Sequence, residues 1–395
     1  MNESVSAHVR TDLEVRALSA ADKQALARHF NERVDSALAA APPTKEWVKT
    51  ALARGGAARC PTRLRRLSYD IILRYGDALA DLFVAYPDDT VFALAYDLFI
   101  GFQPVDRTDR IDPLTVLTGD ARWVDEWGTA WQHALGGVGA SPVANPLPDW
   151  SGLDDYLARR IPDAHAPGRL DGALAAVERF GPTKYCCGLA QLALFERQHC
   201  IRGMGRTFED FSLAADEVDR LLGALTDYYV ELVREWGRLD GVDSVFLTDD
   251  WGTQTSLMIS PSMWRRFFQP RYRRICDEAH RHGLQLVFHS CGNVTRIIGD
   301  LIDCGIDVLD PLQPEAMDLE FVAREFGGHV AFSGGISDQK LAALSPQEVS
   351  DHVRRSIDTL GRRCGNAYIA APSNVLLPDV PLANLEALFE ASHNP

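Results

Sequence analysis

Five short apolar runs in the C-terminal half, separated by stretches with helical periodicity, constrain this chain more than any other feature. They lie at 242–247 (VDSVFL), 284–288 (LQLVF), 306–309 (IDVL), 330–332 (VAF) and 367–370 (AYIA). Short apolar runs bounded by polar residues are what strands buried on both faces of a parallel sheet look like. Between them, residues 261–282 set Trp264, Phe267, Phe268, Ile275 and Ala279 along one stripe, with Ser260 as N-cap and Pro261 in the first turn. Residues 294–304 repeat Ile297, Ile298, Leu301 and Ile302, then stop at Gly305. Ser345 and Glu348 make the Ser-x-x-Glu pattern of a capping box ahead of Val349, Val353, Ile357 and Leu360. Such alternation predicts a parallel sheet with right-handed crossovers.

The N-terminal half is less regular. Residues 1–60 read as amphipathic helices broken at Pro42-Pro43, residues 120–131 (DARWVDEWGTAW) as a hairpin or lid, and residues 141–150 as a loop. A chain of 395 residues can be one large barrel or two smaller domains, and nothing forces a split. The expected architecture is α/β: a single (β/α)8 TIM barrel over 61–395, preceded by a helical extension over 1–60.

The formal charge of −15 argues against nucleic acid as the main partner. The arginines at 265, 266, 271, 273 and 274 fit a solvated helix face better than a phosphate groove. Eight cysteines, several inside apolar runs, do not form a disulfide framework pattern. The start, MNESVSAHVRTDLEV, lacks a basic region followed by an apolar core, and no run is long enough to span a bilayer. A cytoplasmic location is the expectation.

The strand ends carry Asp249-Asp250-Trp251, His289-Ser290-Cys291, the stretch from Asp310 to Gln313 with Glu315, Gly334-Gly335, and Ser373-Asn374. Single residues of this kind cap the following helix. Five in succession fit the mouth of an α/β barrel, where chemistry collects. His289 and Cys291 are two apart and so leave an extended chain on the same face. Imidazole and thiolate together make half a zinc site; the alternative is a buried cysteine beside a hydrogen-bonded core histidine. Asp249 and Asp250 point to opposite faces, so one of them meets the pocket as metal ligand, general base or holder of a cationic group. Cys186-Cys187, Met204 and the stripe Trp264/Phe267/Phe268 read as packing.

Several segments together resemble the uroporphyrinogen decarboxylase superfamily, which includes the cobamide-dependent methyltransferases. They are VDEWGTAW (124–131), LFERQHCIRG (194–203), DDWGTQTSL and SPSMWRRFFQP within 248–270, HSCGN (289–293), DPLQPEAMD (310–318), FSGGISDQ (332–339) and APSNVLLPDVPLAN (371–384). The resemblance covers about 60–390 and implies a single (β/α)8 barrel. In its methyltransferase branch a His-x-Cys pair and a later cysteine bind zinc, which activates a thiol or similar acceptor. His289 and Cys291 match the pair. At the place of the third ligand this chain has Ser373, with Asn374 and Asp379 downstream. Serine is a poor zinc ligand, so Asp250 or Glu315 completes the set, or the metal is lost.

By the same resemblance Asp250, Asp249 and Glu315 are the catalytic candidates. Trp127, Arg202, Trp251, Gln254, Gln313 and Asn374 are the substrate-binding ones, and His289, Cys291 and Asp250 the metal ligands. Arg63, Arg65 and Arg66 stand where the decarboxylases carry an arginine loop, but in the order TRLRR, which does not match its motif. The implied activity is zinc-assisted methyl transfer involving a small thiol, hydroxyl or methoxy substrate. A corrinoid (cobalamin), if used, arrives on a separate protein, because no DxHxxG-type motif is present. A homodimer is a further form to test. The second reading is a decarboxylase or lyase working through Asp250, and the third a ligand- or metal-binding protein with a disabled site.

Overall fold

The computed structural model describes residues 9–93, 120–133 and 140–395. The first eight residues, part of the segment read as lacking a leader, lie outside these. Among the described residues the strands are β1 (Thr90–Ala93), β2 (Ala121–Val124), β3 (Ala130–His133), β4 (Ser141–Ala144), β5 (Tyr185–Ala190), β6 (Ser244–Thr248), β7 (Gln285–His289), β8 (Val308–Leu312), β9 (Ala331–Ile336) and β10 (Tyr368–Pro372). Seven form one parallel sheet in the order β1-β5-β6-β7-β8-β9-β10, and β2-β3-β4 form a separate antiparallel sheet.

The large sheet curls. At one edge the Ala370 N–H donates to Pro61 O at 2.8 Å, and the Arg63 N–H to Ala370 O at 3.0 Å. At the other edge the N–H of Asp89, just before β1, donates to Thr62 O at 3.1 Å. Residues 61–63 thus touch both sheet edges, but with the single bridge Thr62–Ala370 rather than an eighth strand. Of the expected barrel, the described residues show a curled sheet of seven parallel strands and one bridging segment.

Alternation along the strands separates two environments. Tyr185, Cys187, Leu189, Phe246, Val287, Val308, Ala331 and Ile369 meet inside the curl. Cys186, Val245, Leu247, Leu286, Phe288, Leu309 and Phe332 face outward into the main core. Cys186 and Cys187 therefore lie on opposite faces, and burial pushes both thiols up to about 12, which keeps them neutral. The helix Lys45–Leu52 puts Trp47, Val48 and Leu52 under the interior cluster. Lys45 anchors it to Asp243 at 3.0 Å, at the N-terminal end of β6.

The helix signals act as expected: Ser260 caps through the Met263 N–H, Ser345 and Glu348 form a capping box, and Gly305 ends its helix at φ 97°. Arg265, Arg266, Arg271 and Arg274 pair with Asp300, Asp219, Asp219 and Asp227 on neighbouring helices. Residues 120–131 do form a hairpin, β2 with β3. The loop expected at 141–150 is corrected in part: Ser141–Ala144 adds β4 at the edge of that sheet, where Pro142 lacks only a donor the edge does not use. Among the described residues no helix is long and apolar enough to cross a membrane.

Candidate metal centre and substrate cavity

His289 is the last residue of β7, two beyond the inward-facing Val287, so its ring enters the layer above the interior cluster. Its Nδ1 lies 2.7 Å from the Asp310 carboxylate, which is in register with it on β8 and wholly buried. Arg66 donates to both Asp310 oxygens at 3.1 and 3.2 Å. Arg63 donates to Asp310 at 2.5 Å and to Ser333 at 2.8 Å. Burial alone would raise the Asp310 pKa, but Arg66, Arg63 and His289 outweigh it and hold the carboxyl well below the usual carboxylate range. For His289 burial disfavours the charged ring, yet the Cys291 sulfur and Asp310 push its pKa up to about 10.

With an Nδ1 proton directed at Asp310, Nε2 faces the other way, and a metal bound there would displace its proton. There Nε2 lies 3.4 Å from Cys291 Sγ and 3.8 Å from Asp250 Oδ1. Ligand atoms of Asp250, His289 and Cys291 all lie within 4.8 Å of one another. Two loops meet to bring this about. The Cys291 N–H donates to Asp250 Oδ1 at 2.8 Å and the Gly252 N–H to Cys291 O at 3.2 Å. Gly292, at φ 79°, passes so close that a Cβ there would stand 2.4 Å from the Gly252 carbonyl, so only glycine fits. One nitrogen, one sulfur and one carboxylate, with the histidine oriented by a buried acid, match what zinc takes.

Beside this triad lies a cavity of about 730 Å³ whose lining includes Arg63, Arg66, Phe92, Phe246, Thr248, His289 and Asn374. Two aspartates hold its arginine wall. Asp88 accepts the Leu64 and Arg65 N–H groups at 2.7 and 2.9 Å, and Asp89 accepts the Thr62 N–H at 2.9 Å.

The triad also gathers Asn374, whose Nδ2 is 3.8 Å from Cys291 Sγ, and Gln313, which accepts the Gly292 N–H at 3.0 Å. Other expected residues sit elsewhere. Asp249 is buried away from Asp250, accepting from the Phe195 and Glu196 N–H groups and the Tyr272 hydroxyl, and burial lifts its carboxyl to about 7. Trp251 is core, stacked on Phe195 with centroids 4.3 Å apart. Gln254 lies in an exposed turn. Trp127 packs edge-on against Tyr228, Arg202 pairs with buried Asp210 at 2.9 Å, and neither lines the cavity. Glu315 accepts from the Ser337 hydroxyl instead of approaching His289. Gln254 apart, each departs because a partner in the core already engages it.

Ser373 is corrected in the same way. It is buried, and its hydroxyl donates to Ile336 O at 2.9 Å or Asp338 at 2.8 Å. The side chain aimed at Cys291 is that of Asn374, one residue on. Asn374→Cys should therefore tighten zinc binding in a competition titration with a chromophoric chelator, and Ser373→Cys should not. The reverse ranking in folded variants would return the third position to Ser373.

Sequence reasoning passed over Thr248, in register with His289, and Glu196, to which the Thr248 hydroxyl donates at 3.2 Å. Burial, with Asp250 and Asp249 nearby, raises the Glu196 carboxyl well above its ordinary value. Its helix, Leu194–Arg202, follows β5, whose sequence YCCGLA carries little strand signal.

Comparison with known proteins agrees with this fold. A curated relative, the methylcobamide:CoM methyltransferase MtaA of Methanosarcina barkeri, is 24% identical over 152 residues, 38% of this chain and 41% of its own. The match thus spans about two fifths of that relative's length. The solved structure of a methyltransferase from Methanosarcina mazei superposes with a TM-score of 0.61 at 18% identity, covering 89% of this chain and 99% of that one, and shares its fold. The family model described as uroporphyrinogen decarboxylase (URO-D) matches residues 198–395. The chain belongs to the uroporphyrinogen decarboxylase family, within the superfamily that also holds the cobamide-dependent methyltransferases.

Proposed function

We propose that the protein is an enzyme of the methyltransferase branch, acting on a small thiol, hydroxyl or methoxy compound in the cavity beside His289. The observation that carries this reading is the Asp250/His289/Cys291 cluster, three donors within 4.8 Å of one another. His289 Nε2, Cys291 Sγ and an Asp250 oxygen would hold zinc and leave one position for substrate. When bound, zinc supplies a Lewis acid that lowers the pKa of a substrate thiol or hydroxyl. The remaining work falls to the chain. Asp310 fixes the tautomer and tilt of His289. Arg63 and Arg66 share that one carboxylate, so beside His289 two guanidinium groups meet a single acid. Phe92 and Phe246 make its apolar part. The methyl group would come from a cobamide on a separate protein, in the cytoplasm, with residues 1–60 as a helical extension of the α/β unit.

The arginine wall also favours a second reading, a decarboxylase or lyase that grips a substrate carboxylate and moves a proton through Asp250. Elemental analysis separates the two. Protein made in zinc-supplemented medium should carry stoichiometric zinc that is lost in His289→Ala and in Cys291→Ala. Wild-type protein without metal, or metal unchanged in both variants, would remove the zinc-assisted reading.

A further inference from the structure

The turn that follows β5 carries a residue no motif pointed to. Gln191 continues the inward-facing series Tyr185, Cys187, Leu189 by one step, and lines the cavity together with Thr248 and His289. The pairing of Ala190 with Leu247 puts Gln191 level with Thr248, and Thr248 is level with His289. Gln191 and His289 are thus two strands apart in one layer, roughly 10 Å between backbones at the usual strand spacing.

Two observations set Gln191 apart from an ordinary loop glutamine. Its Oε1 is buried and has no hydrogen-bond partner among the described residues. A buried amide oxygen is rarely left so, because it has given up water for nothing. The residue after it, Leu192, is held at φ 52°, a left-handed conformation costly for a leucine and concentrated at ligand sites. The turn is tied down at every point. The Leu192 N–H donates to Thr248 Oγ1 at 2.8 Å and the Ala193 N–H to Thr248 O at 2.8 Å. The Tyr229 hydroxyl sits against the carbonyls of Gln191 and Leu192 at 3.0 and 2.5 Å. These contacts fix the backbone and leave the side-chain oxygen of a cavity-lining residue without a donor among the described residues.

We infer that Gln191 is a specificity-determining residue, whose Oε1 accepts a hydrogen bond from an O–H or N–H group of the substrate several bonds from the atom held beside His289. The inference rests on the thiol- or hydroxyl-activating reading above and narrows its substrate class to molecules with such a donor at the far end. A site built around an acceptor discriminates against the analogue that cannot donate.

The test uses matched probes: ω-hydroxyalkanethiols of graded chain length, and their methyl ethers, which accept but cannot donate. Binding to zinc-loaded protein is read by titration calorimetry. At the chain length that spans the layer, wild type should prefer the alcohol over its ether by about tenfold, the worth of one good hydrogen bond. Gln191→Leu, shown by circular dichroism to be folded, should bind the two alike. Gln191→Glu, which keeps an acceptor, should retain the preference and guards against a packing artefact in the leucine variant. No preference in wild type, or the same preference in Gln191→Leu, overturns the inference while the thiol-binding reading stands. If no thiol of either series binds, that reading falls and the inference with it.

Discussion

Asp310→Asn should destabilise the fold by about 3–5 kcal/mol, the range seen when one partner of a buried ion pair is removed. Asp310 is fully buried and Arg63 is 3% exposed, so the arginine cannot recover its lost counter-charge from water. Arg66 would lose the same partner. Because the Asp310 carboxyl is held well below its ordinary value, its contribution is complete above about pH 4 and is lost only as pH falls further, through the folded-state value. Asp310 also helps to hold the His289 proton, a contribution that fades as pH rises from the free imidazole value towards about 10, so the penalty should be larger at about pH 6 than at about pH 8. Urea denaturation of wild type and variant at both values checks this. A loss below about 1 kcal/mol would mean that water reaches the arginines and the pair is effectively solvated.

Asp250→Asn should behave differently. The Asp250 side chain is 38% exposed, and asparagine keeps an oxygen to accept the Cys291 N–H. The variant should fold like wild type, yet lose about 10²–10⁴-fold in turnover, the usual worth of a positioned proton-transfer group. Zinc affinity should fall with it if the carboxylate is a ligand. Unchanged zinc affinity with lost turnover would make Asp250 a base alone. Unchanged turnover would reduce it to a brace for the Cys291 loop.

The strands β6 to β10 were legible because each keeps a run of apolar residues that a strand covered on both faces requires. Their ends shifted by one to a few residues, because the last pairing residues are polar: Thr248 on β6 and His289 on β7. β5 was illegible for a tertiary reason. Its Gly188 is needed where a Cβ would stand 2.5 Å from the Trp236 ring, and no local pattern announces that contact. The His289/Cys291 pair could be read from its spacing of two. The charges that orient it could not, since Arg63 and Arg66 reach Asp310 from more than 240 residues away in sequence. Choosing Ser373 over Asn374 was an error of parity. Neighbouring residues point to opposite sides, and only the fold shows which side meets Cys291.

The hold that Asp88 and Asp89 keep on residues 62–65 is made largely to backbone N–H groups, with the Thr62 hydroxyl as an added donor, so much of the path of this segment is set without its side chains. It works as a socket beside the reaction chamber. Position 66 lies just past the clamp, and because its guanidinium also braces Asp310, a change of charge there alters the chamber and the hold on the histidine together.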